Sequence, residues 1–266
     1  MGGNKHMENL VRRKIEDGQE VLGAFLWTYS EPVVECLSYT GLDYVIIDCE
    51  HTPVEADGAV SLIRAAECRG LTPFVRAKEL GRSAILKLLD GGAMGVIVPN
   101  IKTVDEVKKI AAYGKYPPVG ERGFVQSREA GFGQEPYAAD IVEYMAVSNR
   151  ETLLLPQCET EELLNVIEQA VQVDGIDGFF VGPYDLSLSM GIPGQFQHPR
   201  FRVALQRIAE ACHAAGKYAF IFCSTQEAME EQRRMGYIGL TLGTDTSVLI
   251  EGYRTRVTAA RASREK

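Results

Sequence analysis

The sequence predicts an α/β fold, a closed (β/α)8 TIM barrel, on three observations. Short apolar runs rich in β-branched and aromatic residues alternate with longer segments of helical period. The runs number eight, the count that closes a parallel barrel. Glycines stand where helical segments give way to the next run, at Gly41, Gly70, Gly216 and Gly236, as helix C-caps needing positive φ, and this fixes the direction of each unit.

Taken in order, the strand-type runs are Val21 to Leu26, Tyr44 to Ile47, Pro73 to Val75, Val96 to Val98, Thr152 to Leu155, Gly178 to Val181, Tyr218 to Phe222 and Ile238 to Leu242. Between them Ala59 to Cys68, Ala84 to Leu89, Val104 to Ala112, Glu161 to Val171 and Phe201 to Ala214 repeat apolar residues at three- and four-residue steps, the pattern of an outer helical ring. Lys115 to Ala139 is too long for an ordinary helix-to-strand connection, and loops of that length are usually functional or disordered. The tail from Glu251 to Lys266 is a helical candidate with four arginines, suited to packing or to subunit contact.

The length of 266 residues fits one domain over residues 7–266, large enough to bury about three quarters of its unfolded surface. Residues 1–6 ahead of Met7 read as an expression scar and carry no weight in the fold, His6 included. A net charge of −8 argues against nucleic-acid or anionic-lipid partners and leaves small molecules or proteins. No run approaches the roughly 20 apolar residues of a membrane span. Six cysteines lack any Cys-x-x-Cys pairing, and reduced thiols in a cytoplasmic protein are expected.

In such a barrel the active site forms at the carboxyl ends of the strands. The chain puts Asp48, Glu50 and His51 after the second run, Arg76 at the third, Glu159 after the fifth, Asp185 after the sixth and Asp245 after the eighth. Two carboxylates about 4 Å apart repel by roughly 4 kcal/mol at an effective dielectric of about 20, so Glu159 with Asp185 calls for a cation or a shared proton. Oxygen donors without thiolate or imidazole favour Mg²⁺ or Mn²⁺ over structural zinc. Both acids would also serve as helix N-caps, the plain alternative. Arg76, ending a buried run, needs an anion: a substrate carboxylate, a developing enolate, or Asp48 or Glu50 across the mouth. His51 follows two acids that could fix its tautomer and suit it to proton transfer. Asp90 near a helix end opposes the helix dipole, which invites a functional reason, although a solvated polar residue fits the spacing as well.

The set Asp48-x-Glu50-His51, Val75-Arg76, Leu89-Asp90-x-Gly92-Ala93, Tyr116-Pro117-Pro118-x-Gly120-x-Arg122-Gly123, Gln157-x-Glu159-Thr160 and Gly182-Pro183-x-Asp185-Leu186-Ser187 resembles the class II pyruvate aldolases of the HpcH/HpaI family, from Gly23 to Val248. The resemblance implies a metal-dependent enzyme that cleaves 2-keto-4-hydroxy or 2-keto-3-deoxy sugar acids to pyruvate and an aldehyde. It puts the metal, Mg²⁺ or Mn²⁺ with Co²⁺ or Zn²⁺ as alternatives, on Glu159 and Asp185, the enolate-binding guanidinium on Arg76, and a proton-transferring dyad on His51 and Asp90. Gln157, Gly182, Pro183 and Tyr184 would line the substrate, with Asp48 and Glu50 behind them. It also implies a homohexamer, a trimer of dimers that exchange their last helix. Cys158 and Tyr184 depart from the family pattern, where an aliphatic and a small residue are commoner, and Tyr184 would narrow the pocket.

On this reading the metal and Arg76 stabilise the enolate while His51 relays a proton from the C4 hydroxyl, and Arg76→Ala is expected to stop turnover with the fold intact. The rival route in the same class is a Schiff base on Lys78, since Lys217 begins its strand and faces the other end. Decarboxylation of oxaloacetate, decarboxylative carbon–carbon bond formation and a keto-acid-binding barrel without turnover are the other readings.

Overall fold

The computed structural model describes residues 7–263, so the stretch read as an expression scar lies outside the described residues. Eight parallel strands close in sequence order: β1 (Val21–Leu26), β2 (Tyr44–Asp48), β3 (Thr72–Arg76), β4 (Gly95–Val98), β5 (Leu153–Cys158), β6 (Gly178–Val181), β7 (Tyr218–Cys223) and β8 (Gly239–Thr244), with β8 pairing back onto β1. The largest departure from the expected boundaries is β5. Pro156 reads as a strand end because it cannot donate to a ladder, yet it sits opposite Val98, the last residue of β4. Gln157 and Cys158 continue the pairing on the other side, against Phe180 and Val181, and this extension carries Glu159 to the mouth.

The five expected helices appear as Ala56–Glu67, Arg82–Asp90, Val104–Gly114, Pro199–Ala214 and a pair, Glu161–Asn165 and Ile167–Ala170, split where Val166 leaves helical geometry at φ −119 and ψ 16. Further helices cover Leu10–Glu16, Glu31–Leu37, Ile141–Glu151, Pro183–Ser189 and Gln226–Met235. The four junction glycines all take positive φ; Gly236 is a left-handed cap at φ 96, closing Gln226–Met235.

The barrel lumen is filled by rings. Tyr44 stacks on Phe74 at 5.0 Å, and Phe220 meets both at 5.9 and 6.0 Å. Room for them comes from glycines in register on the adjacent strands: a Cβ at Gly95 would lie 2.6 Å from the Phe74 ring, one at Gly23 2.2 Å from Tyr44 and one at Gly239 1.9 Å from Phe220. The buried Tyr44 hydroxyl is satisfied by Thr241 at 2.9 Å. Below this layer Leu10–Glu16 plugs the floor with Val11 and Ile15. Asn9 caps that helix and donates its amide to the carbonyls of Met94 and Glu151, at 2.9 and 2.7 Å, just ahead of β4 and β5. With the amino end sealed, the carboxyl rim is the open end.

The last helix, Asp245–Ala262, begins earlier than expected because Thr244 and Ser247 form a capping box. From residue 247 to residue 263 every position is exposed, including Val248, Leu249, Ile250 and Tyr253. Beside its root an apolar cleft of about 570 Å³ stays open on the outside of β1 and β8, lined by Leu22, Val33, Leu37, Leu42 and Leu242. Among the described residues no helix is long and apolar enough to cross a membrane.

The lumen has no slack for a methyl at position 239. Gly239→Ala is expected to lower stability in urea unfolding by about 1–3 kcal/mol, with part regained on adding Phe220→Leu. An unchanged midpoint would show that the ring layer is loosely packed.

Candidate active site

Strands β2 and β3 pair in register with Asp48 directly opposite Arg76. Parallel neighbours at one register project their side chains to the same side, so the two charges meet at the mouth. Arg76 donates Nε to Asp48 Oδ1 at 2.9 Å and Nη2 to Oδ2 at 2.6 Å, a bidentate pair with side chains 7% and 0% exposed. The remaining nitrogen, Nη1, lies 3.1 Å from Glu50 Oε2, and the Phe25 ring covers the guanidinium at 4.7 Å. Asp48 Oδ1 also accepts the backbone N–H groups of Glu50 and His51, at 3.0 and 3.4 Å, and so shapes the turn that carries them. The carboxylate alternative for Arg76 is thus satisfied within the chain, and its Nη1 edge points along the rim toward Glu50.

Glu159 stands beyond β5, buried. Its Oε1 accepts the Asn100 N–H at 2.6 Å, and Gln157 Nε2 donates to its Oε2. Asn100 holds φ 54, a left-handed conformation that asparagine tolerates, and this aims its N–H at the acid. Gly182 packs alongside: a Cβ there would come within 2.9 Å of Glu159 Oε2 and 3.0 Å of Gln157 Nε2. Buried Pro183 then opens the helix Pro183–Ser189, with Asp185 in its first turn. Neither acid is a helix cap. Thr160 caps the helix after Glu159, and Pro183–Ser189 has no side-chain cap.

Electrostatically these acids form one group. Burial pushes the Glu159 carboxyl up, and the charges of Glu50 and Asp185 push the same way against the two hydrogen bonds it accepts. Burial also raises Glu50; Arg76 opposes that rise, while Asp48 and Asp185 add to it. Two buried oxygens, Gln157 Oε1 and Glu50 Oε2, have no hydrogen-bond partner, the latter being close to Arg76 but poorly aligned. An all-oxygen set with unpartnered acceptors and mutually repelling carboxylates suits a hard divalent cation. Among the described residues no group of three or more acidic, histidine or cysteine side chains is gathered to hold a metal.

The profile of the HpcH/HpaI aldolase/citrate lyase family matches residues 22–252. The chain belongs to the HpcH/HpaI family. It is 30% identical to the 4-hydroxy-2-oxo-heptane-1,7-dioate aldolase of Salmonella typhimurium, over 98% of this chain and 97% of that protein. Among solved structures it is similar to an HpcH/HpaI aldolase from Desulfitobacterium hafniense DCB-2, with TM-score 0.88 and 27% identity over 96% and 97% of the two chains. It is also similar to the citrate synthase SbnG, with TM-score 0.87 and 26% identity over 98% and 100%. Like its family it is an enzyme of carbon–carbon bond chemistry, a lyase on a (β/α)8 barrel.

Within this HpcH/HpaI barrel the expected His51–Asp90 dyad is not assembled. His51 sits at the mouth, 56% exposed, with Nε2 3.6 Å from Glu50 Oε2. Asp90 ends the helix Arg82–Asp90, which runs from the carboxyl rim to the amino end, and its Oδ1 accepts from Arg122 Nη2 at 2.9 Å. That guanidinium offsets the unfavourable position at the helix end. Arg122 also donates to Glu129 at 2.7 Å and to Ser148 at 3.1 Å, and Tyr144 donates to Glu129 at 2.8 Å. The long segment read as functional or disordered is therefore pinned by a buried ionic knot near Asp90. Lys78 is exposed and paired with Glu55 at 2.7 Å, a hydrogen bond that raises its pKa, the wrong direction for a Schiff-base amine. Sequence reasoning missed Asn100, Phe25 and the tethering of Asp245, which accepts the N–H groups of Trp27 and Thr28 at 2.9 and 3.1 Å. The Pro99-Asn100 step straight after a strand was the available signal for the first.

Because burial raises Glu159 above the ordinary glutamate value of 4.5, the folded chain takes that proton more readily than the unfolded one. Metal-free protein should therefore gain thermal stability as pH falls through the interval just above 4.5, and Glu159→Gln should flatten that gain and melt higher at pH 7 in EDTA. Equal melting curves for both chains across the interval would show that Glu159 is not strained.

Proposed function

We propose that this chain cleaves 4-hydroxy-2-keto acids to pyruvate and an aldehyde, and runs the reverse addition, with a divalent cation at Glu159 and Asp185. The observation that carries the reading is one rim holding a guanidinium fixed by Asp48 together with mutually repelling carboxylates at Glu50, Glu159 and Asp185 and two buried oxygens without hydrogen-bond partners, Glu50 Oε2 and Gln157 Oε1. Mg²⁺ or Mn²⁺ suits the donor set, with Co²⁺ or Zn²⁺ as alternatives. When bound, the cation supplies Lewis acidity toward the keto and carboxylate oxygens of pyruvate.

The side chains divide the remaining work. Arg76, held rigid by Asp48, offers Nη1 to the oxygen that gains negative charge as the C3–C4 bond breaks. Gln157 and the glycine-lined wall at Gly182 and Pro183 orient the pyruvate half, and the missing Cβ at 182 leaves the space beside Glu159 Oε2 unfilled. His51, backed by Glu50, takes the proton from the C4 hydroxyl during cleavage and returns it during addition. Asp90 takes part only if a second copy brings its amino end to this mouth. Oxaloacetate decarboxylation uses the same enolate and accompanies the aldolase reading without displacing it.

The naked last helix and the cleft at its root support exchange of that helix between copies, in dimers and in a hexamer built as a trimer of dimers. A chain ending at residue 247 should run smaller in sedimentation than the full chain. An unchanged sedimentation coefficient per protomer mass would exclude the exchange.

A panel of 4-hydroxy-2-keto acids with Mg²⁺, Mn²⁺ or Co²⁺ should release pyruvate in a reaction that EDTA abolishes and borohydride does not trap. Pyruvate release that survives EDTA would return the mechanism to Lys78. Contrary to the sequence expectation, Arg76→Ala should not be structurally neutral, because it strands Asp48 in a buried site: a loss of about 3–5 kcal/mol is expected, with most of it regained in Arg76→Met with Asp48→Asn. That double variant, folded, should have turnover lowered by several orders of magnitude; near-normal turnover would remove Arg76 from the chemistry.

A further inference from the structure

We propose that the aldehyde partner of this enzyme is neutral, an aryl or alkyl aldehyde, and that Tyr184 and Phe222 select it. The inference rests on the retro-aldol reading above and adds the substrate's other half. Four aromatic rings run outward from Arg76 along the rim, through β7 to Tyr184, the residue before Asp185. Phe25, the last residue but one of β1, covers the guanidinium at 4.7 Å; Phe222 on β7 lies 6.0 Å from Phe25; Tyr184, after β6, lies 6.2 Å from Phe222; Phe196 closes the series edge-on at 5.0 Å from Tyr184. Ring-to-ring contacts at these separations are attractive and hold each ring in place. Tyr184 is nonetheless 49% exposed, so one side of an otherwise packed series faces outward next to the pyruvate wall at Gly182 and Pro183.

Charge decides the class. An aldehyde bearing a remote carboxylate needs a cation free to meet that far end, because a cation at Glu159 and Asp185 would be taken up by the pyruvate half. The two guanidinium groups at the ends of the ring series are already matched. Arg76 is held by Asp48 and Glu50, and Arg202, which shares a small cleft with Pro183, Phe196 and Phe222, is paired with Glu231. A neutral, apolar group instead gains ring contact and loses no hydration of a charge. In the addition direction C3 of pyruvate gives up a proton, its carbon bonds to the aldehyde carbon, and the aldehyde oxygen takes up a proton, so pyruvate and aldehyde combine with nothing lost.

The test uses full-length enzyme with Mg²⁺ or Mn²⁺. Exchange of the pyruvate methyl protons in deuterium oxide, followed by NMR without aldehyde, reads enolisation by itself. Aldol addition is then measured with benzaldehyde, butanal and succinate semialdehyde. The expected result is exchange, with kcat/KM for benzaldehyde and butanal at least about tenfold above that for succinate semialdehyde. Tyr184→Ala should lose that preference and Tyr184→Phe keep it, with circular dichroism establishing that both are folded. Exchange accompanied by equal or better use of succinate semialdehyde overturns the neutral-aldehyde inference and leaves the pyruvate reading standing. A preference intact in folded Tyr184→Ala overturns the role of Tyr184. Absence of exchange with either metal overturns both readings together.

Discussion

A guanidinium buried at the top of a barrel is tolerable only with an anion in fixed geometry, and Arg76 meets that condition through Asp48. The requirement constrains more than two side chains. Asp48 faces Arg76 only in the observed register of β2 against β3, and a slip of one residue would turn one charge into the wrong layer. The same aspartate accepts the backbone of Glu50 and His51, so the turn bearing two further mouth residues hangs from it. On the proposed mechanism, structural stability and reactivity would share one ion pair.

The opposite side of the mouth is built by a different economy, in which backbone atoms do what charges do on β2 and β3. Glu159 is kept in place by the Asn100 N–H and by Gln157, and the absence of a side chain at Gly182 leaves its second oxygen uncrowded. Nothing cationic neutralises it. Burial and the like charges of Glu50 and Asp185 both push its carboxyl up, which on the proposed reading a bound cation would offset.

Much of this was legible in the sequence because the eight strands are buried on both faces and read as continuous apolar runs. Gln226–Met235 gave little signal: Gln232 is its one buried residue, and only the half-buried Met229 and Met235 join it against the core, too few apolar positions to read as a stripe. The break at Val166 was equally silent, since Glu161 to Val171 keeps its apolar spacing on either side of one non-helical residue. In the site, Arg76, Glu159 and Asp185 could be assigned to one rim from their strand ends alone. Asp90 could not be joined to His51 by that rule, because one ends a helix and the other follows a strand, and in a βα unit those are opposite ends of the barrel. A motif names the residues that co-occur and says nothing about whether one chain brings them together.

The two ends of the chain's functional anatomy meet at Asp245. This residue begins the exposed last helix, and its carboxylate accepts the N–H groups of Trp27 and Thr28, the first residues after β1. Trp27 follows Phe25 by two positions, and Phe25 is the ring that covers Arg76. A pull on the helix is thus felt one hydrogen-bonded step from the β1 loop and two residues from the guanidinium. A helix lying free in solvent transmits no such constraint, whereas one seated on a second copy would hold Asp245, and through it the loop, in a single position. If copies do exchange this helix, an ordering contact of the mouth stands at its root, and the open cleft beside β1 and β8 would bear on the chemistry as well as on assembly.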